Sequence, residues 1–292
     1  MHPKNIHNEA YNFSELIKSH SELKPFVFEN DHGTQTIDFA KNESVFHLNK
    51  ALLKHFYKIA DWNIPSGYLC PPIPSRLDYL LYINDLIEEE CKGKSIKGLD
   101  IGVGANCIYP IVGTQIFPWR MVGSDINDNA IQSAKANVEF TPVLKNKIEI
   151  RKQETNANIF EGIIKENEFF HFTICNPPFH TSEEEASKGS LRKLRNLDRN
   201  DSDYKTKKEF QLNFGGQANE LWCNGGEALF IKRMIKQSVQ FKSNVGWFTC
   251  IVSKKDNLAK IYKQLDKLKA ERKTINMSQG NKKSRFIAWR FI

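Results

Sequence analysis

Hydrophobic positions along the chain change their spacing near residue 97, and this change separates two regions. Before it, apolar residues recur every three or four positions, as they do on one face of a helix. After it, short apolar runs alternate with segments that keep the helical spacing. The pattern therefore predicts an α-rich region over residues 1–92 and an α/β domain over residues 93–292.

Individual elements can be placed within these two regions. Amphipathic helices are predicted over residues 43–59 and 73–90, on either side of a stiff proline-rich connection. Strands are predicted over seven apolar runs, at residues 98–101, 120–125, 148–150, 170–175, 245–252, 272–277 and 285–291. Alternation of strand and helix indicates a parallel sheet, and the last two strands, with no helix between them, indicate a hairpin. A polar insertion over residues 180–219 interrupts the alternation.

Composition excludes several classes of protein. Hydrophobic residues make up 40% of the 292 residues and charged residues 26%, so the chain can bury a core and is not a disordered protein. The longest uncharged run, residues 101–119, contains three glycines and two prolines, which argues against a membrane span. The first residues show no basic and then apolar leader, so we expect a cytoplasmic protein. Six cysteines occur without a C-x-x-C pair, which predicts reduced thiols and no metal site.

The net charge of +8 is concentrated in two segments. Residues 254–292 contain twelve Lys and Arg against three acidic residues, and residues 188–208 contain eight against three. Clustered positive charge suits a polyphosphate partner, because each neutralised phosphate releases counterions. A solvated helix face carrying ordinary lysines is the alternative interpretation. The charge pattern favours a nucleic acid as the partner.

A glycine pair after the first predicted strand and an acid at the end of the second indicate a nucleoside cofactor. Gly102 and Gly104 allow a tight turn and the close approach of a ligand, and Asp125 is placed to accept hydrogen bonds from both ribose hydroxyls of an adenosine. A dinucleotide fingerprint would have its third glycine where Cys107 stands, beside the pyrophosphate. S-adenosylmethionine (SAM) has no pyrophosphate, and Asp100 suits its amino group. The residues therefore favour SAM over NAD.

The sequence Asn-Pro-Pro-Phe at residues 176–179 follows the fourth predicted strand. The exocyclic amine of adenine is a poor nucleophile, because its lone pair is delocalised into the ring. The side-chain oxygen of Asn176 and the carbonyl of Pro177 can each accept one amine hydrogen, Pro178 stiffens the loop, and Phe179 offers a face on which a base can stack. A proline turn beside a core phenylalanine is the alternative. Because the motif stands downstream of the glycine pair and Asp125, we predict that these four residues form a catalytic loop.

Two of these segments, residues 100–110 and 176–179, resemble the bacterial 23S ribosomal RNA (adenine-1618-N6) methyltransferases, the RlmF family. Family-like stretches also occur at residues 2–5, 45–57, 67–74, 213–217 and 284–289, so the resemblance covers nearly the whole chain. More distantly, the chain is similar to eukaryotic adenine methyltransferases that act on small nuclear RNA. The resemblance implies a class I, Rossmann-like methyltransferase fold with a mostly parallel seven-stranded sheet, preceded by an α-rich extension that covers RNA and cofactor. It also implies methyl transfer from SAM to N6 of an adenine in 23S rRNA, at the family site adenine 1618.

The resemblance further implies which residues bind which partner. It adds three positions to those found above, so the expected cofactor-binding residues are Arg76, Asp100, Gly102, Gly104, Asn106, Asp125, Thr155 and Asn176. The basic side chains expected to bind RNA are Lys188, Arg192, Lys193, Arg195, Lys282, Lys283 and Arg285. The chain departs from the family in its insertion, where three aspartates interrupt the basic run. We expect a monomer that acts on 23S rRNA or on a large-subunit assembly intermediate.

Three other functions stay open at this point. A methyltransferase acting on a glutamine amide of a protein uses a similar loop with tyrosine in the last place, which Phe179 and the basic C-terminal segment disfavour. A DNA adenine methyltransferase would use the same chemistry. A non-catalytic RNA-binding assembly factor with this fold would not need Asn176 or the glycine pair.

Overall fold

The computed structural model describes residues 1–178, 225–279 and 282–292. Its N-terminal region is predominantly helical but also contains a small antiparallel hairpin. The elements of this region are α1 (Phe13–Ser19), β1 (Val27–Glu29), β2 (Gln35–Ile37), α2 (Asn42–Tyr57) and α3 (Ile73–Cys91). The hairpin did not follow from the hydrophobic spacing, because its strands are three residues long and show too few positions for an alternation.

The described residues from Lys97 onwards form a seven-stranded sheet with helices on both faces. Its strands are β3 (Lys97–Ile101), β4 (Arg120–Asp125), β5 (Ile148–Lys152), β6 (Phe170–Cys175), β7 (Val245–Ile251), β8 (Glu271–Gln279) and β9 (Lys282–Arg290). The described helices between them are α4 (Ile108–Ile116), α5 (Asp128–Glu139), α6 (Pro142–Lys145), α7 (Gly226–Ser238) and α8 (Asn257–Lys267).

The strand order is β5-β4-β3-β6-β7-β9-β8, and the sheet is parallel from β5 to β7. β9 pairs antiparallel with both β7 and β8, so among the described strands of this sheet it alone runs against the others, and β8 and β9 form the final hairpin. The predicted mostly parallel seven-stranded α/β fold is therefore confirmed. In such a sheet the carboxyl ends of β3, β4 and β6 lie at one edge, where ligands of open α/β sheets bind.

Two hydrophobic clusters, one on each face, hold the helices to the sheet. One cluster combines Leu80 of α3 and Ile111 of α4 with Phe172 of β6. The other combines Ile231 of α7 with Phe248 of β7. Because both faces are covered, the central strands are almost continuously apolar rather than alternating.

The N-terminal region shares its core with the sheet. The first cluster combines Leu16 and Leu52 of this region with Phe286 of β9, so it contains residues from both sides of the predicted boundary at 92/93. Polar contacts also cross that boundary: the indole N–H of Trp62 donates to the backbone oxygen of Asn106 at 2.7 Å. These contacts hold the region against the end of the sheet that carries the glycine loop.

Several predictions from the sequence lie outside the described residues. They are the insertion over residues 180–219, the base-stacking role of Phe179, and the RNA-binding roles of Lys188, Arg192, Lys193 and Arg195. The side chains of Lys282 and Lys283 are likewise not described. Among the residues that are described, no helix combines the length and the apolar character needed to cross a bilayer.

A buried arginine at the end of β5 supports a prediction about stability. Arg151 donates to both Glu168 oxygens at 2.7 Å and to Glu149 at 2.8 and 2.9 Å. Burial raises the pKa of Glu168, but hydrogen bonds from Arg151 and Lys97 outweigh it and bring the pKa to about 2. Since the ordinary value is near 4.5, this carboxylate stabilises the fold above that pH and loses its contribution as pH falls towards 2.

We therefore expect Arg151→Met to lower the free energy of unfolding by about 3 kcal/mol at pH 7, because it leaves Glu168 without its main partner. The loss should shrink steadily between pH 4.5 and 2. Urea unfolding at several pH values measures both effects. A loss that did not depend on pH would assign the effect to packing alone.

Candidate active site

The loops that follow β3, β4 and β6 meet around a cavity of about 410 Å³. This volume lies within the range of small-molecule sites, about 300–1,000 Å³. Its walls come from both regions of the chain. Tyr68, Leu69 and Arg76 precede the sheet, and Gly102, Asp125 and Asn176 stand at the carboxyl ends of β3, β4 and β6. The cavity thus brings together the motifs that the sequence had separated by about a hundred residues.

The glycine loop after β3 depends on left-handed backbone conformations. Gly102 has a φ of +76° and Gly104 a φ of +63°, values that an L side chain rarely adopts. The turn is held by backbone N–H groups of Gly102 and Val103, which both donate to Ser124 at 2.9 Å. At the end of the loop the side chain of Asn106 accepts from the backbone N–H of Ile108 at 3.1 Å. The loop therefore presents open backbone to the cavity at the start of α4.

Asp125 ends β4 and lies in the cavity wall. One carboxylate oxygen accepts from the backbone N–H of Gly104 at 3.0 Å and the other from that of Asn127 at 2.9 Å. Burial raises the pKa of Asp125, and these hydrogen bonds oppose the shift. Because each oxygen can accept a further hydrogen bond, the carboxylate can bind a pair of hydroxyls.

Asp100 is a buried acid whose charge has no direct partner. Its side chain is 1% exposed, and neither carboxylate oxygen has a hydrogen-bond partner among the described residues. Burial, and then the nearby Asp125, raise the pKa of Asp100 to about 8, whereas Arg76 lowers it. An unpaired buried carboxyl group is costly, and a ligand cation would relieve that cost. Asp100 itself does not line the cavity, but its neighbours Ile101 and Gly102 do, so an ammonium group bound beside them would come close to it.

Arg76 reaches the cavity from α3, close enough to Asp100 to lower the pKa of that acid. Its Nη1 donates to the hydroxyl of Tyr109 at 3.0 Å, and its guanidinium lies 5.3 Å from the centre of that ring. The tyrosine fixes the guanidinium while leaving donors for an anion such as an α-carboxylate. A second tyrosine, Tyr68, donates to the side chain of Asn127 at 3.0 Å.

The resemblance placed residues 153–155 beside the cofactor, and of the two outer residues of this segment Gln153 lines the cavity but Thr155 does not. Thr155 is exposed and lies outside the cavity wall, and its backbone N–H donates to the side chain of Gln153 at 3.1 Å. The wall is formed instead by Gln153, Asn156 and Asn158. These side chains belong to an irregular loop, so no periodicity could indicate which of them point inwards.

The residues that follow β6 form the remaining wall. Asn176, Pro177 and Pro178 all line the cavity, and Asn176 is half-buried. The preceding residue, Cys175, is buried at the end of the strand. The loop therefore opens onto the same space as Asp125 and the glycine loop. Helix α7 adds two side chains that the sequence had not singled out, Phe230 and Arg233.

One group of potential metal ligands occurs in the described part of the chain, in the N-terminal region. It consists of His20, Glu22 and His47. Burial and the positive charge of Lys54 lower the pKa of His20, so the group stands in a positive environment that disfavours a cation. We keep the prediction that no metal takes part. The five described cysteines are free thiols.

The site fits a nucleoside that carries an ammonium group and lacks a pyrophosphate. Cys107, at the position of the third fingerprint glycine, is buried against the sheet, and the polar groups of the cavity suit a ribose, an amino acid and a base. A SAM-dependent methyltransferase of class I is the kind of enzyme whose cofactor has these parts.

Comparison with known proteins agrees with this class and defines the family. A family described as RNA methyltransferase matches residues 1–292, and the chain belongs to it. The chain is 58% identical over 291 residues to the ribosomal RNA large subunit methyltransferase F of Christiangramia forsetii, with 100% of each chain covered. It is 49% identical to the protein of the same name from Flavobacterium psychrophilum, over 100% of this chain and 93% of that protein.

Solved structures show the same fold. The hMettl16 catalytic domain in complex with MAT2A 3'UTR hairpin 6 has a TM-score of 0.82 and 29% identity, over 100% of this chain and 97% of that one. The N-terminal domain of human METTL16 in complex with SAH has a TM-score of 0.78 and 26% identity, over 100% of this chain and 99% of that one. The predicted family, the enzyme class and SAM as the cofactor are therefore confirmed.

Proposed function

We propose that this protein transfers a methyl group from SAM to the exocyclic N6 amine of an adenine in large-subunit ribosomal RNA. The adenine that the RlmF resemblance implies, position 1618 of 23S rRNA, is part of this proposal. The relatives named above support ribosomal RNA as the substrate, and the complex with an RNA hairpin supports an RNA acceptor in the wider family. The observation that carries the choice of an amine is that Asn176, Pro177 and Pro178 line the same cavity as Asp125 and the glycine loop.

Each wall of the cavity has a distinct task in this reaction. Asp125 would accept the ribose hydroxyls, Arg76 would pair with the carboxylate of the methionine moiety, and Asp100, just behind the cavity wall, would attract its ammonium group. Gly102, Gly104 and Asn106 would leave backbone open beside them. Bound SAM supplies an electrophilic methyl group on a positively charged sulfur. We propose that the loop from Asn176 to Phe179 binds the base.

The catalytic loop acts by holding the amine rather than by removing a proton beforehand. The Asn176 oxygen and the Pro177 carbonyl accept its two hydrogens and favour a pyramidal nitrogen whose lone pair is free. The amine proton becomes acidic only after transfer, so no strong base is needed. Phe179 is proposed to stack on the base, which suits an unpaired adenine.

The state of Asp100 yields a prediction about cofactor binding. With a pKa of about 8, this acid is protonated below pH 7, whereas a bound ammonium group favours the carboxylate. SAM binding should therefore release a proton. As the pH rises from 5.5 to 7, the Kd for SAM should fall by up to tenfold per pH unit. Calorimetry in two buffers of different ionisation enthalpy measures the released proton. Asp100→Asn is the control: it should bind SAM more weakly, without proton release. Equal heats in both buffers for the unaltered protein would contradict this role.

RNA binding is proposed to use positive charge near the same edge of the sheet. Arg285 donates from Nη1 to the backbone oxygens of Val252 and Ser253, just beyond β7, and β7 pairs with β6, which carries the catalytic loop. The N-terminal region, with Tyr68, Leu69 and Arg76 in the cavity wall, is proposed to cover cofactor and RNA from the other side. Phosphate contacts of this kind position RNA but carry little sequence information.

Charge reversal in the insertion tests this part of the proposal. Replacing Arg192, Lys193 and Arg195 with glutamate should weaken binding to any RNA sequence and flatten the salt dependence of the affinity, because fewer counterions are released. Affinity for one rRNA fragment at two salt concentrations measures the change. Identical salt slopes would place the phosphate contacts outside the insertion. Lys282, Lys283 and Arg285 would then be the next candidates.

The substrate itself is tested by label transfer. The protein is incubated with labelled SAM and with rRNA, DNA or protein fractions, and the expected result is label in rRNA as N6-methyladenine. Label in the protein or DNA fraction would favour one of the alternative methyltransferases, and no label would favour an assembly factor. Naked rRNA and pre-ribosomal particles are compared in the same assay, since an assembly intermediate is proposed as the acceptor. We also propose that the protein acts as a monomer in the cytoplasm.

A further inference from the structure

Helix α7 contributes two side chains to the cavity, and a third residue continues the same face of the helix. Phe230, Arg233 and Gln237 stand at positions i, i+3 and i+7, which lie on one side of a helix. Phe230 and Arg233 line the cavity. The guanidinium of Arg233 lies 5.7 Å from the centre of the Phe230 ring. Nothing in the proposed reaction has yet used this face.

Gln237 shows which end of the cavity the face belongs to. Its side-chain oxygen accepts from the backbone N–H of Ile159 at 2.8 Å, and its amide group donates to the backbone oxygen of Ala157 at 2.7 Å. The helix is therefore tied to the segment that carries Asn156 and Asn158 into the cavity.

The same segment begins beside the ribose-binding acid. The backbone N–H of Gln153 donates to the backbone oxygen of Asp125 at 2.8 Å. A base attached to a ribose at Asp125 would consequently lie between the loop after β5 and helix α7. This step rests on the proposed role of Asp125.

Arg233 has an unused donor at this end. The Nε atom is shielded from solvent and has no hydrogen-bond partner among the described residues. A buried donor without an acceptor is unfavourable, and the ring nitrogens of a purine are acceptors. The shielding favours a base inside the cavity over a phosphate of a polymer at its mouth, because a phosphate would stay hydrated at the surface.

We propose that Arg233 is a specificity-determining residue for the adenine of the cofactor. Its Nε–H donates to a ring nitrogen of that base, and Phe230 supports the guanidinium from one side. The loop after β5, held by Gln237, forms the opposite wall.

The test uses SAH, which occupies the cofactor site without reacting, and its 1-deaza, 3-deaza and 7-deaza analogues, each lacking one ring nitrogen. Calorimetry compares the unaltered protein with Arg233→Met and with Arg233→Lys, which keeps the charge but has no Nε. The matched control is Lys236→Met, at an exposed position of the same helix. Thermal unfolding checks that each variant is folded.

Both Arg233 variants should bind SAH roughly tenfold more weakly than the unaltered protein, and the control should bind it equally well. One analogue, the one that lacks the contacted nitrogen, should bind the unaltered protein about tenfold more weakly than SAH does. The same analogue should bind Arg233→Met with no further loss of affinity, which is the result a double-mutant cycle gives for two groups that contact each other. Unchanged SAH affinity in both Arg233 variants would overturn the proposal, as would additive losses with all three analogues. Because no RNA is present, these results do not depend on whether rRNA is the substrate.

Discussion

Replacing Asn176 with alanine should lower kcat by roughly 100-fold and leave the affinity for SAM nearly unchanged. The alanine removes the side-chain acceptor that we propose holds an amine hydrogen in a desolvated site. The loss of one such preorganised polar group costs about 3 kcal/mol in the transition state. Asn176 is half-buried in the cavity wall and follows a strand whose last residue, Cys175, is buried, so the substitution leaves the strand itself intact.

Two measurements separate catalysis from binding in this variant. Single-turnover kinetics with saturating SAM and rRNA report the methyl-transfer step, and calorimetry with SAM reports cofactor affinity. A fall in kcat with an unchanged Kd for SAM assigns Asn176 to the transition state. Ordinary turnover in Asn176→Ala would remove this residue from the mechanism and leave the Pro177 carbonyl as the proposed acceptor.

Replacing Asp125 with alanine should raise the Kd for SAM by about 100-fold, with a much smaller effect on kcat at saturation. Two hydrogen bonds from ribose hydroxyls to a carboxylate are lost, and together they are worth about 3 kcal/mol. The backbone N–H groups of Gly104 and Asn127 lose their acceptor as well, so the glycine loop should become less ordered. Because the proposed ribose contact would exist both before and during transfer, the effect should fall on binding.

Two further variants, Asp125→Asn and Asp128→Ala, test whether the loss of SAM affinity comes from the carboxylate of Asp125. The asparagine keeps one acceptor and the shape of the side chain, so its Kd should rise by about tenfold only. Asp128 lies three residues away, on an exposed position of α5 paired with Lys152, and its replacement should leave SAM binding unchanged. Equal effects of Asp125→Ala and Asp128→Ala would show that the loss comes from net charge rather than from the ribose contact.

The order of strands and helices could be predicted from the sequence because it depends on short-range patterns. Strand β4 was predicted over residues 120–125 and is observed as Arg120–Asp125, and β6 was predicted over residues 170–175 and is observed as Phe170–Cys175. The alternation of these strands with helices implies a parallel sheet, and a parallel sheet places its carboxyl ends at one edge. For that reason the glycine pair, Asp125 and Asn176 could be assigned to one site without coordinates.

Side chains from irregular loops and from distant helices could not be assigned in that way. Thr155 was expected at the cofactor, yet Asn156 and Asn158 line the cavity, because the direction of each side chain in a loop is set by contacts such as those of Gln237 rather than by a period. In the sequence, nothing distinguishes Arg233 from the other basic residues of an amphipathic helix. Its place in the cavity depends on how α7 is rotated about its axis by packing against β7.

The sequence by itself determined the α/β class, the parallel sheet with its final hairpin, and the motifs that identify the cofactor and the chemistry. These features follow from residue spacing and from the conformations that glycine and proline allow, which are local properties. Only the tertiary structure decided that Asp100 is buried without a partner and has its pKa raised to about 8, and that the guanidinium of Arg76 is held by Tyr109. Burial and charge proximity arise between residues far apart in the chain, so they exist only once the chain has folded.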